Sequence, residues 1–566
     1  MRVFKYTCCS FLLICLVVFT TNPGYTLPAL SPSIPVKQNA IATINVVSLG
    51  ADNTGFKDCS DIVRKAQEMG NVYFPAGTYL MSTVDVISNR KYFGDGMGKT
   101  IIKSNYKKVK AMWAISTKNF DKSGHPKRNI ENVELCDMTL DYNLTKWIDY
   151  FSMIIFKGGP ANYIRNVKIQ RIEFIDSGKW VHPDANNGKG KDMWSINLSS
   201  FASKTEDILV DNCISNAESK QFVAGGGSWL KNITVTNNYI KKPHANGIAF
   251  TTVSDGDVTF DGFIVKNNTI VDAFGSAILF GNDPGTDRLN GGKQTFSNLL
   301  VANNKIILSD YNVYGKSYRT KKSYPYVVNL SGADPYMKNV TIRDNEIEVK
   351  PEYSGGDIAL GKIRSYAFKR TPVVAATSFT QPKVNSNVVV KYTPIDKGTY
   401  IAGSFIKINN VGMYEIVSAT ATTLTLKLTN WYLKATPGAL VPAGSKLYFK
   451  GGILENVTFA NNKITGSKLL QMVPGGLINN LTLTGNNNVD FSMRYANVII
   501  DNVVIKNNTN LYFRQTDGFI RGNLTGNKMT NPSKKSNKLL NLSDEVIKSR
   551  QIDKKNELQL QGNSIK

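Results

Sequence analysis

Apolar residues fall on every second position in a set of nine-residue segments spread along most of the chain. Asn232-Ile-Thr-Val-Thr-Asn-Asn-Tyr-Ile240 aligns with Asn298-Leu-Leu-Val-Ala-Asn-Asn-Lys-Ile306, Asn339-Val-Thr-Ile-Arg-Asp-Asn-Glu-Ile347 and Asn456-Val-Thr-Phe-Ala-Asn-Asn-Lys-Ile464. Gly262 to Ile270 and Asn502 to Asn510 are looser copies, and Asn132 to Leu140 and Asn166 to Phe174 keep the apolar frame without the Asn pair. A period of two predicts strands. The Asn pair predicts a sharp bend, because Asn enters the left-handed backbone region more readily than other residues bearing a β-carbon. Strand, bend, strand, bend describes a coil. Stacked coils pair their backbone groups with the coils above and below, bury a continuous apolar interior and allow ladders of Asn side chains. The pattern therefore predicts an all-β fold, a parallel β-helix, with Ile240, Ile270, Ile306, Ile347 and Ile464 stacked inside and strands winding from about residue 85 to 530.

Repeat spacing varies from 22 residues, between Asn480 and Asn502, to 41, between Asn298 and Asn339. The longer coils, between residues 166 and 350, carry the extra length as loops, the usual binding side of a repeat protein. Residues 371–450 have another texture, with short alternating strands such as Val388-Val-Val-Lys-Tyr392 and Thr423-Leu-Thr-Leu-Lys427, and predict a small inserted β domain. Tyr400, Tyr414, Trp431 and Tyr432 either fill its core or form a sugar-stacking surface. The predicted organisation is 1–29 signal peptide, 30–110 N-terminal cap and first coils, 111–370 β-helix, 371–450 inserted domain, 451–531 C-terminal coils, and 532–566 a basic tail that packs as a helix or frays.

The N-terminus places Arg2 and Lys5 before the apolar run 11–19 and then a polar stretch ending near Ala29, the order of a secretory signal. The run is too short to span a membrane, and nothing around Cys15 predicts a lipid anchor. Without this segment the chain has 66 basic and 43 acidic residues, a net charge of +23, so its partner is expected to be an anion. Export and the lack of any zinc-finger or RNA-binding signature favour an acidic polysaccharide over nucleic acid. Cys59, Cys136 and Cys213 remain, an odd and widely spaced set that predicts neither a disulfide framework nor a metal site.

Asn45-Val-Val-Ser-Leu-Gly-Ala-Asp52, the helix-like segment Asp58 to Met69, and Gly70-Asn-Val-Tyr-Phe-Pro-Ala-Gly-Thr-Tyr-Leu80 resemble the opening of the pectate lyase superfamily of secreted polysaccharide enzymes and phage tailspikes. The resemblance implies a right-handed parallel β-helix with an N-terminal cap acting on a carbohydrate. It brings no catalytic motif. The Asn-Thr-Asp, Asp-Asp, Gly-His-Gly and Arg-Ile-Lys strings of the polygalacturonase-like branch are missing, and Trp147-Ile-Asp-Tyr150 has Tyr where a similar pectate lyase string has His. Gly94-Asp-Gly-Met-Gly-Lys-Thr100 lacks the first Gly of a phosphate loop and predicts a turn.

Hydrolysis of such a polymer needs two carboxyl groups flanking the glycosidic bond. Lyase or epimerase chemistry needs a cation for the sugar carboxylate and a base for the proton beside it. Aligning Ile240 with Ile270 places Lys242 over Asp272, near His244, and the same frame adds Asp176 to the column. Asp283, Asp287 and Arg288 share the next loop. His244, Asp272, Asp283 and Asp287 are the candidate proton-transfer groups. Lys241, Lys242 and Arg288 are candidate carboxylate binders, and Trp147, Tyr150 and Trp180 are candidate sugar-stacking residues, with Trp194 and Trp229 beside the longer coils. No cofactor is expected, with calcium the exception for a lyase, and a monomer or homotrimer is expected. The functional classes that remain are an exported enzyme on an acidic polysaccharide (lyase, hydrolase or epimerase), a non-catalytic polysaccharide-holding protein of export or assembly, and a tailspike-like depolymerase.

Overall fold

The computed structural model describes residues 41–565 apart from connections that include 106–110, 118–127, 145–150, 159–161, 179–192, 201–203, 253–257, 283–293, 310–325, 354–357, 366–372, 394–401, 494–498, 516–518 and 530–558, and a few shorter positions such as His244. Each central coil has three faces. Trp229–Thr236, Tyr239–Lys241 and Asn246–Thr252 form one coil, and Val258–Lys266, Thr269–Val271 and Ser276–Asn282 lie above it in parallel register. The fold is a right-handed parallel β-helix, the hand taken by nearly all parallel crossovers.

The five predicted isoleucines stack in register, and none is more than 2% exposed. The Asn pair divides its work between its members. Its first residue makes the bend at positive φ, as in Asn237 (56°), Asn267 (59°), Asn303 (53°), Asp344 (55°) and Asn461 (54°). Its second is buried and hydrogen-bonded along the axis. The backbone N–H and Nδ2 of Asn238 both donate to Oδ1 of Asn268, and the link repeats through Asn304, Asn345, Asn462, Asn486, Asn508, Asn527 and Asn563. Each Nδ2 also donates to a backbone carbonyl of the preceding coil, for example Asn304 to Val265 and Asn345 to Val301. The Asn that begins each aligned segment makes a second, outer column, with φ between 50° and 58° from Asn132 to Asn502.

Coils extend further than the sequence pattern suggests. Strands begin at Thr43, and α1 (Ser60–Met69) buries Val63 and Ala66 in the apolar interior. The glycines of 94–100 form the turn expected between Arg90–Gly94 and Thr100–Ser104. At the other end, the last residues of the expected tail are corrected, while 532–558 lie outside the described residues. Gln559–Gln561 and Ser564–Ile565 pair with Phe519–Thr525 and Lys528–Met529, and Asn563 ends the ladder. The signal was present as Gly562-Asn563, with Gly at the bend (φ 61°) in place of the first Asn, as at Gly485-Asn486 and Gly526-Asn527.

The inserted segment closes a six-stranded antiparallel barrel, from Val373–Ala375 to Lys446–Lys450. Its own core contains Val390, Ile406, Ile416, Leu424 and Leu426. Tyr414 belongs to that core and is fully buried, which removes it from the sugar-stacking candidates. Phe405 and Met413 of the barrel pack on Ile453, Leu477 and Tyr336 of the coils.

Candidate functional site

In chain order, several of the longer connections between described strands precede or follow the strands of the third face. Residues 142–150, 176–192 and 309–325 lead into its strands, and 117–129, 253–257, 283–293 and the barrel-containing stretch 366–452 lead out. The bend between first and second faces is by contrast only two residues, such as 237–238.

In the central coils three rows of residues lie on the outer side of this sheet, two of which run on to the buried Asp85 at one end and the buried Asp490 at the other. Ser152, Trp194, Gln221, Asn246, Ser276 and Tyr326 make the first row. Ile155, Asn197, Ala224, Ala249, Leu279 and Asn329 make the second, and Lys157, Gly226, Thr251 and Gly281 belong to the third. Coil rise puts neighbours in a row about 4.8 Å apart. Their groups are knitted together: Trp194 Nε1 donates to Gln221 Oε1 at 3.0 Å, Asn197 Nδ2 to Ser152 Oγ at 3.4 Å, Asn329 Nδ2 to Ser276 Oγ at 3.4 Å, and the Ser276 N–H to Asn246 Oδ1 at 2.8 Å. Asn329 Oδ1 is buried without a hydrogen-bond partner among the described residues. Among these residues Lys157 carries the only formal charge. The surface is thus neutral to basic and offers amides, hydroxyls and the Trp194 and Tyr326 rings, groups suited to hydroxyl-rich ligands. Sequence reading had Trp194 but missed Lys157, Asn197, Gln221, Asn246 and Asn329. Aligning the third-face strands on Ile196, Val223, Ile248 and Ile278 would have placed them in rows.

Lys241, Lys242 and Asp272 lie at the incoming edge of this face. Lys242 and Asp272 both have positive φ (49° and 50°), and the Lys242 N–H donates to Val271 O at 2.9 Å, so they occupy equivalent positions as expected. Asp176 is not next to Lys242, because the coil of Ile214–Ser215 intervenes and Ala217 holds the position between them. Asp272 is also not the exposed bend residue expected: it is 4% exposed, and its oxygens accept from the Ser309 N–H at 2.7 Å and Oγ at 2.6 Å. The same stitch joins Asp141 to Ser177, at 2.8 and 2.6 Å. His244, Asp283, Asp287, Arg288, Trp147, Tyr150, Trp180, Tyr400, Trp431, Tyr432 and the signal segment lie outside the described residues.

The three cysteines are buried in separate coils, and burial, as the largest effect, pushes the Cys59 and Cys213 thiols up to about 12. Among the described residues no three His, Cys, Asp or Glu side chains are grouped to hold a metal ion, and no helix is long and apolar enough to cross a membrane.

Residues 43–273 match the family model described as rhamnogalacturonase A/epimerase, pectate lyase-like. No curated protein matches the chain. Among solved structures, the Streptococcus pneumoniae surface protein and adhesin PfbA is similar at 13% identity with a TM-score of 0.45, over 93% of this chain and 97% of that one. The family 28 exopolygalacturonase of Yersinia enterocolitica is similar at 11% identity and a TM-score of 0.41, over 93% and 78% of the two chains. The tailspike protein of Escherichia coli bacteriophage HK620 is similar at 11% identity and a TM-score of 0.43, over 92% and 78%.

Proposed function

We propose that this pectate lyase-like β-helix is an exported protein that binds an acidic polysaccharide along the outer side of its third face and converts it there. The observation that carries this reading is the floor of amides, hydroxyls and rings that the central coils present on the third face. Amides and hydroxyls at coil spacing suit successive sugars of one chain, Trp194 and Tyr326 offer ring faces, and Lys157, Lys241 and Lys242 offer charge to carboxylates. The proton-transfer group is expected among His244, Asp283 and Asp287, with Arg288 beside them, which in sequence lie next to the third-face strands Asn246–Thr252 and Ser276–Asn282. The floor residues of the central coils, from Ser152 to Asn329, include no carboxylate, while Asp85 and Asp490, which continue the same rows at either end, are buried; this favours proton abstraction beside a sugar carboxylate, as in a lyase or epimerase, over two-carboxylate hydrolysis. The basic balance of the chain, +25 over its full length, supports an anionic polymer. The locked carboxylate of Asp272 favours a second reading, in which the floor holds the polymer without converting it.

Product analysis on polygalacturonate, rhamnogalacturonan and alginate tests both. Conversion of one of them, with His244→Ala lowering turnover about 10²-fold and Trp194→Ala acting mainly on KM, is the expected outcome. Salt-sensitive binding with no product from any polymer selects the holding role, and no binding at all defeats the floor as the site.

A further inference from the structure

A second cleft, of about 410 Å³, lies between the barrel and the last coils, away from the third face. Its wall on the barrel side is Asn430, and the coils contribute Asn479, Asn480, Asp501, Asn502, Arg521 and Gly522. Barrel and coils belong to one compact unit. The register explains the opening. Ile500 pairs with Ile520 and Val503 with Gly522, so Asp501 and Asn502 together oppose the single residue Arg521, a β-bulge of the kind that re-aims side chains at functional sites.

The bulge has two chemical consequences. The outer Asn column, in which Asn502 Nδ2 donates to Asn480 Oδ1 at 2.6 Å, ends at Asn502, whose own Oδ1 has no partner among the described residues. Arg521 donates through Nε and Nη2 to the two oxygens of buried Asp501, at 2.6 Å each, which leaves Nη1 without a partner among the described residues. The fork neutralises Asp501, so the cleft presents unused donors and acceptors with no net charge. Asn430 and Asn479 add two amides, each both donor and acceptor.

We propose that this cleft is a separate saccharide-binding site that takes one or two neutral sugar units of a glycan. Vicinal hydroxyls donate and accept at once, as the amide pairs do, and the coil rise of about 4.8 Å is close to the length of a hexopyranose unit. Because the guanidinium is already compensated, a uronate carboxylate finds no free positive charge here, unlike on the third face. The site goes beyond the function proposed above and does not require it.

The test is calorimetric titration of the full chain with cellohexaose, mannohexaose, laminarihexaose and hexagalacturonate, at low and high salt. Saturable binding of a neutral hexasaccharide, little changed by salt and weakened about ten-fold or more by Asn430→Trp, is expected. Asn430 is exposed on the barrel, so its replacement fills the cleft without touching either core. Asn502→Ala should weaken the same binding, and Trp194→Ala on the third face should leave it unchanged. Failure of every neutral hexasaccharide to bind, binding that Asn430→Trp leaves intact, or tighter and salt-sensitive binding of hexagalacturonate at this cleft would overturn the proposal. Loss of third-face activity alone would bear on the other site and not on this one.

Discussion

Asp58 joins three segments at the N-terminal end of the coils. It accepts from the Ser60 N–H at 3.0 Å and Oγ at 2.6 Å at the start of α1, from the Ser82 hydroxyl one coil on, and from Asn105 Nδ2 at 2.9 Å. Burial acts to raise its pKa, but the hydrogen bonds from Ser60, Ser82 and Asn105 together outweigh it and hold the carboxyl at about 2 against an ordinary 3.8. A depressed folded-state value contributes stability that is complete above the unfolded value and lost as pH falls through the folded one. Urea unfolding is therefore expected to show a loss of about 1 kcal/mol, discounted for solvent screening, between about pH 4 and pH 2, and Asp58→Asn should abolish that step. Asp272 makes a similar stitch in a more enclosed setting. Asp272→Ala should cost about 2 kcal/mol by leaving the Ser309 N–H and hydroxyl unpaired. Ser309→Ala serves as its control: if it loses stability but keeps full turnover while Asp272→Asn loses turnover, then Asp272 acts on substrate as well as on the fold.

The element that sets the coil spacing is the buried Asn ladder. Asn345 receives two hydrogen bonds from Asn304, gives two to Asn462 and a fifth to Val301 O, so removing its amide strands groups in three coils. Asn345→Ala should destabilise the helix by at least about 3 kcal/mol, measured by thermal or urea unfolding. The ladder starts one coil earlier with a substitute. The Cys213 N–H donates to Asn238 Oδ1 at 2.9 Å, and its thiol points to Ile169 O and Asp211 O at 3.7 and 3.4 Å, the directions that an Asn amide takes elsewhere. Cys213→Asn should extend the ladder by one rung and raise the melting temperature, and a drop would show that the pocket fits only the smaller side chain. Register is also fixed from outside. The column Glu131, Arg165, Glu206, Lys231 and Asp261 alternates in sign from coil to coil, with Arg165 and Glu131 in contact at 2.7 Å, and a slip that paired like charges would be penalised.

At the scale of the whole molecule, the barrel is an insertion with its own core, joined to the coils through the patch of Phe405, Met413, Ile453, Leu477 and Tyr336. Replacing 371–450 by a short Gly/Ser linker should leave a cooperatively unfolding helix, with a melting temperature lowered by the exposure of Ile453 and Leu477, as circular dichroism on heating would record. Non-cooperative unfolding of the deletion would make the barrel part of the main core. The β-helix, the Ile stack, the bends and the inserted domain were legible in the chain because each depends on nearest-neighbour stacking: a coil buries its apolar positions only if the next coil repeats them, so the physics writes itself as a repeat. The last coil escaped because its few residues, 559–565, use Gly where the pattern shows Asn, and both serve the same positive φ. The third-face floor and the barrel cleft were decided by tertiary structure. Their residues come from different coils and vary in type with what they present to solvent, so no recurring residue marks them; only alignment on the buried Ile196, Val223, Ile248 and Ile278 brings the floor residues into rows. Whether a charged residue at a bend is a free group, as the spacing of Asp272 predicts, or a stitch to the next coil depended on Ser309, 37 positions away, reaching it through the winding of the chain.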